Sequence, residues 1–387
     1  MTTQGRHKVF GGACVAIVLS IAMVTPSTKA APQDVTTDAA RSAIRGFNTR
    51  QLADWVDNQQ SDFDKAIQEI DESGAGIHRL AVYWADVQPT QNSGMDWHKY
   101  DPIVMQLRNK GLKVILTPIG SPNWARIKAR QNGNPLAHPS VGFFDEWNTF
   151  VRELANRYRA DAYEIWNEEN STAFWDPTPT QQKPNPKQWT QLFCGAASAI
   201  RDVLDNPNAT VGVGGLAPHT SSNAKKQQAS DFLRDAYAAG LRACRPSFVG
   251  FHPYVINAFC NNATHKFSKL GTMIELHRVH DVGRAHGTAQ MWNTEWGFPS
   301  QSFSRGANKP VCGYTPARQA KLIRDEYNYL ATLPWVKYSI YFNLRDDTTA
   351  DPCRTDKTKL PPPFASIGMD NCRWDRKPSF AVWKSLP

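Results

Sequence analysis

The chain has 387 residues, 41% hydrophobic and 20% charged, a globular composition with room for one large domain with a deep core or two small ones. The formal charge is +9, but the basic residues are scattered and no nucleic-acid-binding motif accompanies them. A solvated surface, with at most a mild attraction to anionic polymers, is the expected reading, and nucleic acid is not an expected partner.

The N-terminus reads as an export signal spanning residues 1–30. Arg6 and Lys8 precede an apolar run, Val9 to Val24, that is short for a membrane span; Pro26 breaks it, and Thr28-Lys29-Ala30 offers small residues for cleavage before Ala31. An uncleaved anchor is the alternative. No other stretch is long and apolar enough to span a membrane, so the mature chain is expected to be secreted or held at the cell envelope. Cleavage removes Arg6, Lys8 and Lys29 and no acid, leaving a formal +6. Residues 31–44 are small and polar and are expected to be a short leader.

From Arg45 onward, strand and helix patterns alternate eight times. Phe47-Asn48 is the candidate first strand, followed by a helix with Phe63, Ile67 and Ile70 on one face and Gly74 and Gly76 at its end. Ile77 to Trp84 is an almost continuous apolar run, the pattern of a buried parallel strand. A helix over Asp96–Lys110 leads to a strand over Leu112–Pro118 and a loop carrying Trp124. Phe144, Trp147, Val151, Leu154 and Tyr158 form a 3.6-residue stripe. The fourth strand is Ala162 to Trp166. Helix and strand patterns then recur through Phe193–Leu204, Val211–Gly215, Phe232–Tyr237, Phe248–His252, Phe267–Ala285, Ala289–Trp292, Ile323–Leu330 and Tyr338–Phe342, with a closing helix near Phe380–Leu386. Eight such units, with no GxGxxG opening a helix after the first strand, point to a single α/β domain over residues 45–387 built as a (β/α)8 TIM barrel.

Cys194, Cys244, Cys260, Cys312, Cys353 and Cys372 remain after cleavage. An even count in an exported chain suggests up to three disulfides, with 15 possible pairings. Chain proximity favours Cys353–Cys372, with Cys194–Cys244 and Cys260–Cys312 next. No CxxC pair supports a zinc or redox site, and no metal or cofactor is expected.

Two acidic residues occupy matching settings. Trp166-Asn167-Glu168 ends the fourth strand and Thr294-Glu295-Trp296-Gly297 ends the seventh. Strand C-terminal tips are where parallel barrels keep their chemistry, and two carboxylates flanking a sugar ring are the minimum equipment for glycoside hydrolysis. These motifs, in an eight-fold pattern, resemble the clan A glycoside hydrolases, with the closer likeness to families 5 and 39, over nearly the whole mature chain. The resemblance implies a retaining enzyme with Glu168 as general acid/base and Glu295 as nucleophile. It also implies that Asn167 hydrogen-bonds the sugar 2-hydroxyl, that Arg79 keeps the nucleophile ionised, that His252 and Tyr254 support it, and that Trp124 and Trp296 form sugar platforms.

Two departures bear on the substrate. Glu169 stands where the family has Pro after the strand-four Glu, either adding charge beside Glu168 and raising its pKa or pointing to solvent. Tyr341-Phe342-Asn343 replaces the Trp common at the end of strand eight. The expected substrate is a β-linked polysaccharide or oligosaccharide, with envelope polymers such as cell-wall galactan among the candidates, and the expected state is a monomer. A transglycosylase on the same barrel and a non-catalytic carbohydrate-binding barrel are the alternatives. Loops 125–142, 172–188 and 299–314 are expected to decide endo against exo action. Asn170-Ser171-Thr172 reads as a glycan acceptor that would crowd the cleft.

Overall fold

The computed structural model describes residues 43–127, 131, 133, 134, 136–175, 183–304, 311–355 and 361–387. The export signal, most of the leader and parts of the three cleft loops lie outside the described residues. Eight barrel strands are β1 (Ile44–Asn48), β2 (Ile77–Tyr83), β3 (Lys113–Ile119), β4 (Ala162–Asn167), β5 (Val211–Leu216), β6 (Val249–Phe251), β7 (Met291–Trp296) and β8 (Val336–Tyr341), and a short hairpin pairs Phe303–Ser304 with Val311–Cys312. The barrel strands all pair in parallel with their chain neighbours, and β1 pairs β8, which closes the barrel. A parallel barrel needs a crossover between successive strands, and the helices supply it. They are α1 (Leu52–Asn58), α2 (Gln60–Glu72), α3 (Trp84–Val87), α4 (Tyr100–Asn109), α5 (Phe144–Tyr158), α6 (Pro186–Leu204), α7 (Ala229–Ala238), α8 (Gly271–Ala285), α9 (Pro316–Ala331) and α10 (Pro378–Ser385).

The strands run as read, with ends shifted by one to a few residues. Two helices start later than expected. Asp96 caps its own turn by accepting from the His98 N–H at 3.0 Å, so α4 begins at Tyr100. A separate 3-10 turn over Phe267–Lys269 precedes α8.

The core has two layers. Ile77, Ile115, Ala162, Phe248, Trp292, Tyr338 and Ile340 fill the barrel floor, where Phe248 and Trp292 stack with ring centroids 3.6 Å apart. A larger cluster fills the shell between strands and helices. His78 is fully buried there, and burial pushes its pKa down to about 3, so it is neutral packing. His277 and His280 pack against Trp335, His280 stacked at 4.2 Å.

The three disulfides are Cys194–Cys244, Cys260–Cys312 and Cys353–Cys372. Asn170 is fully buried. Its amide donates to the carbonyls of Ala217 and Gln227, each at 3.0 Å, and its side-chain oxygen accepts from the Ala217 N–H. The acceptor pattern there is therefore structural, because no glycan reaches a buried amide already spent on holding the loop after β5.

Candidate active site

At the C-terminal mouth of the barrel lies a cleft of about 550 Å³, lined among others by Asn48, Arg79, Asn167, Glu168, Tyr254, Glu295 and Phe342. That size falls in the roughly 300–1,000 Å³ range of small-ligand sites. Plain strand alternation delivers part of the lining: residues 77, 79, 81 and 83 of β2 face inward, and so do 46 and 48 of β1.

Two strands break alternation to deliver the rest. On β4, Ala162 and Glu164 face in and Ile165 faces out. Trp166 then adopts φ 76°, turns outward onto Trp147 of α5, and leaves Asn167 facing in; Glu168 follows at φ 47°. Two consecutive-but-one residues in the left-handed region are costly for side chains with a Cβ, and such strain concentrates at functional sites. On β7, Asn293 pairs Ser339 and Trp296 pairs Tyr341, so three residues oppose two. This bulge reverses the phase set by Trp292, turning Glu295 into the cleft and Trp296 out of it.

Arg79 is the hub. Its Nε donates to Glu164 Oε2 at 2.5 Å, its Nη2 to Asn167 Oδ1 at 2.7 Å and its Nη1 to Glu295 Oε2 at 3.3 Å. Arg79 is 2% exposed and Glu164 0%. Burial works against the guanidinium charge, and the carboxylates of Glu164 and Glu295 outweigh it. Thr117 of β3 also donates to Glu164, at 3.2 Å.

Glu295 accepts three side-chain donors: Arg79, Asn48 Nδ2 at 3.1 Å and the Tyr254 hydroxyl at 2.8 Å. Burial and the Glu295 charge hold the Tyr254 hydroxyl well above its ordinary range, so it remains a donor. Glu168 keeps 20% of its side chain open to the cleft, and burial raises its pKa to about 7 against the opposing charge of Arg79.

His252 lies between the two acids. Its Nδ1 is 2.9 Å from Glu168 Oε1 and its Nε2 is 3.9 Å from Glu295 Oε2. The two legs and one ring width hold the carboxyls within the roughly 9.5 Å outer limit for a pair flanking one glycosidic bond. Burial drops the His252 pKa to about 4, so the ring is neutral. Its seat depends on Gly215, where a Cβ would fall 1.9 Å from Nε2; likewise a Cβ at Gly250 would fall 2.4 Å from Glu164 Oε1.

Arg79, Asn167, Glu168, His252, Tyr254 and Glu295 are thus brought together. The two tryptophans are not. Trp296 is 0% exposed, packed among Tyr341, Phe298 and Trp383 behind the sheet, because the bulge turned it outward. Trp124 packs edge-on against Trp84 and Phe143 and donates its indole N–H to the Gln88 carbonyl at 3.2 Å, off the cleft. The platform reading fails for Trp296; Trp124 is half-buried and is not among the cleft-lining residues, whose Phe and Tyr rings are Tyr83, Phe174, Tyr254, Phe342 and Phe364.

Glu169 departs from both expectations. It is 0% exposed, so it does not reach solvent, and neither oxygen has a side-chain partner. Burial holds its pKa well above the ordinary 4.5, which favours the neutral form beside Glu168. Among the described residues, no group of three or more His, Cys, Asp or Glu is placed to hold a metal ion.

Asn48 and Thr117 are site-supporting residues that the sequence reading did not single out; Glu164 reads from the sequence as a structural acid pointing into the barrel or its shell, and it is buried against Arg79 and Thr117. For Asn48 and Thr117, inward register on β1 and β3 was the available signal. The glycines of Val211-Gly212-Val213-Gly214-Gly215 also signalled a close approach.

Solved structures show the same fold. A monomeric β-xylosidase from Caulobacter crescentus CB15 has a TM-score of 0.57 at 18% identity, over 89% of this chain and 67% of that one. A family 39 glycoside hydrolase from Bacteroides cellulosilyticus WH2 has a TM-score of 0.62 at 16% identity, over 90% and 64%. A GH5_18 protein from Streptomyces cattleya in complex with GlcNAc has a TM-score of 0.59 at 16% identity, over 89% and 80%. The chain therefore spans about two thirds of the length of the first two. Among curated proteins there is no sequence match. Residues 34–243, more than half of the chain, match the profile of Cellulase (glycosyl hydrolase family 5), and the barrel carries acidic residues at its C-terminal mouth; the chain belongs to that family and is a glycosidase.

Proposed function

We propose that the protein is an exported retaining β-glycosidase in which Glu168 is the general acid/base and Glu295 the nucleophile. The observation that carries this reading is the placement of the two carboxyls on opposite edges of the His252 ring, one with its pKa raised to about 7 and the other held by three donors. A carboxyl titrating near 7 is protonated often enough to donate to the leaving oxygen, and Arg79, Asn48 and Tyr254 orient Glu295 and complement its negative charge.

In the first step Glu295 attacks the anomeric carbon and forms a covalent glycosyl ester. The bond to the leaving oxygen breaks, and that oxygen takes the proton of Glu168. In the second step Glu168, now a carboxylate, takes a proton from water, which attacks the anomeric carbon and releases Glu295. Asn167, fixed by Arg79, presents its amide to the sugar 2-hydroxyl. His252 is neutral and serves to position Glu168.

The β-linkage is supported by the family and by the likeness to a β-xylosidase and to a barrel bound to GlcNAc. Phe342 in place of Trp gives a floor that differs from the family pattern, so the sugar is to be found by assay. Export is supported by the three disulfides, which suit an oxidising compartment, and by the N-terminal pattern.

The test is a panel of nitrophenyl β-glycosides, pyranosides and furanosides, followed by envelope and plant polysaccharides including galactan. Wild type should turn over at least one, Glu295→Gln should lose at least about 1,000-fold, and the first product seen by proton NMR should retain the β-anomer. Near wild-type rate in Glu295→Gln, or an inverted product, overturns the assignment.

A further inference from the structure

Besides Glu168 and Glu295, the catalytic cleft is lined by two arginines, Arg79 and Arg50, and by no further acid. Arg79 is buried, with its donors spent on Glu164, Asn167 and Glu295. Arg50 is placed differently. It lies two residues beyond Asn48, on the loop that leaves β1 at the barrel mouth. Its side chain is 57% exposed, and its one hydrogen bond or ion pair among the described residues runs from Nη2 to Asp347 Oδ1 at 3.5 Å. A guanidinium carries five N–H donors in a planar fork, so most of those of Arg50 are unspent.

The pair with Asp347 is loose. The distance is long for a charged hydrogen bond, and the same Asp347 oxygen also receives Gln51 Nε2 at 3.5 Å. An exposed pair of this kind contributes little to stability. Asp347 does not depend on it, since its own N–H donates to the Ala365 carbonyl at 2.8 Å. The Arg50 charge is nevertheless felt inside the cleft. Burial raises the Tyr83 hydroxyl, and of the effects that oppose burial the Arg50 charge is the largest, ahead of Arg79. A second cation, Lys226, follows β5, four strands round the barrel from β1. Burial, with the Lys226 charge added to it, pushes the cleft-lining His219 down to about 4. The mouth thus carries positive charge at two opposed edges.

We infer that Arg50 is a specificity-determining residue: it binds an anionic substituent of the glycan, a carboxylate or a sulfate ester, and gives up Asp347 in exchange. A neutral glycan offers a half-solvated guanidinium little that water does not. A carboxylate or sulfate meets its planar fork with two parallel hydrogen bonds, and a loose pair is readily displaced by a well-aligned one. An anionic sugar must also enter beside Glu295, whose charge repels it, and a cation at the cleft edge offsets that repulsion. The excess of basic over acidic residues favours the approach of the same polymers. The substrate class is therefore an acidic β-linked glycan. This rests on the glycosidase reading of the cleft.

The test compares Arg50→Gln with wild type on the polysaccharide that the panel selects, prepared in three forms: neutral, with any carboxylates reduced to alcohols; carboxylated; and sulfated. Wild type should show a higher kcat/KM on an anionic form than on the neutral one, and the better of the two anionic forms names the group. On that form Arg50→Gln should lose about 10- to 100-fold, the loss expected for hydrogen bonds to a charged group, with less than about 3-fold change on the neutral form. Arg50→Lys should fall between the two, and Asp347→Asn, which removes the resident carboxylate, should lose nothing on the anionic form. An equal fall of Arg50→Gln on neutral and anionic forms would make the Arg50–Asp347 pair a structural brace and overturn the proposal. So would a wild-type preference for the neutral form. Turnover of any form by wild type, and its loss in Glu295→Gln, tests the glycosidase reading separately from the role of Arg50.

Discussion

Arg79→Met is the most informative perturbation of the site's frame. Glu164 is 0% exposed; one of its oxygens receives Arg79 at 2.5 Å and Thr117 at 3.2 Å, and the other has no partner. Removing the guanidinium leaves a buried carboxylate supported by one hydroxyl. Breaking a buried pair from one side costs about 3–5 kcal/mol, because the remaining charge is uncompensated. At a urea dependence of roughly 3 kcal/mol per molar, suited to a large domain, the unfolding midpoint should drop by about 1 to 2 M. Arg79→Met with Glu164→Gln removes both charges and should recover at least about half of that loss, a strongly non-additive cycle. Activity should not recover, since Arg79 also holds Asn167 and Glu295. Urea unfolding by fluorescence and turnover of the best nitrophenyl glycoside read the two effects. A single variant as stable as wild type, or a double variant no better than the single, refutes the claim that Arg79 exists to neutralise Glu164 as well as to hold the site.

Two further outcomes follow from the protonation states. A general acid must be protonated, so kcat/KM on substrates with poor leaving groups should fall as pH rises through about 7, the value to which burial lifts Glu168; in Glu168→Gln that limb should vanish for an activated dinitrophenyl glycoside, and an unaltered limb contradicts the assignment. Glu169 is raised by burial, so the folded state holds its proton where the unfolded chain has released it. Its contribution to stability is therefore intact below the ordinary value of 4.5 and is lost as pH rises above it. Glu169→Gln should be close to neutral at pH 4 and increasingly stabilising towards pH 8, with the pH dependence of kcat/KM unchanged; a large activity loss would show that the carboxyl itself is needed.

The barrel was legible because its signals are local. Apolar runs such as Ile77–Tyr83, broken only by His78 and Arg79, and the stripe through Trp147, Val151 and Leu154 follow from the periods of strand and helix. The two glutamates were legible because each closes such a run. The Trp296 platform was misread for a physical reason: facing direction beyond Trp292 depends on a bulge against β8, and a bulge is set by pairing with a distant strand. Asn48 was passed over, and Glu164 was read as a structural acid without its partner, because the contact of Asn48 with Glu295 and that of Glu164 with Arg79 are made between distant strands and no spacing records them. Glu169 read as a charge because residue type sets the usual pKa, whereas its burial against the glycines of β5 sets the actual one.

The central claim is that Glu295 bonds to the sugar while Glu168 handles the proton. Incubating wild type with the dinitrophenyl 2-deoxy-2-fluoro glycoside of the preferred sugar should trap the ester, and peptide mass mapping should find the adduct on Glu295. Label on Glu168 or Glu169, or inactivation with no covalent adduct, would contradict it.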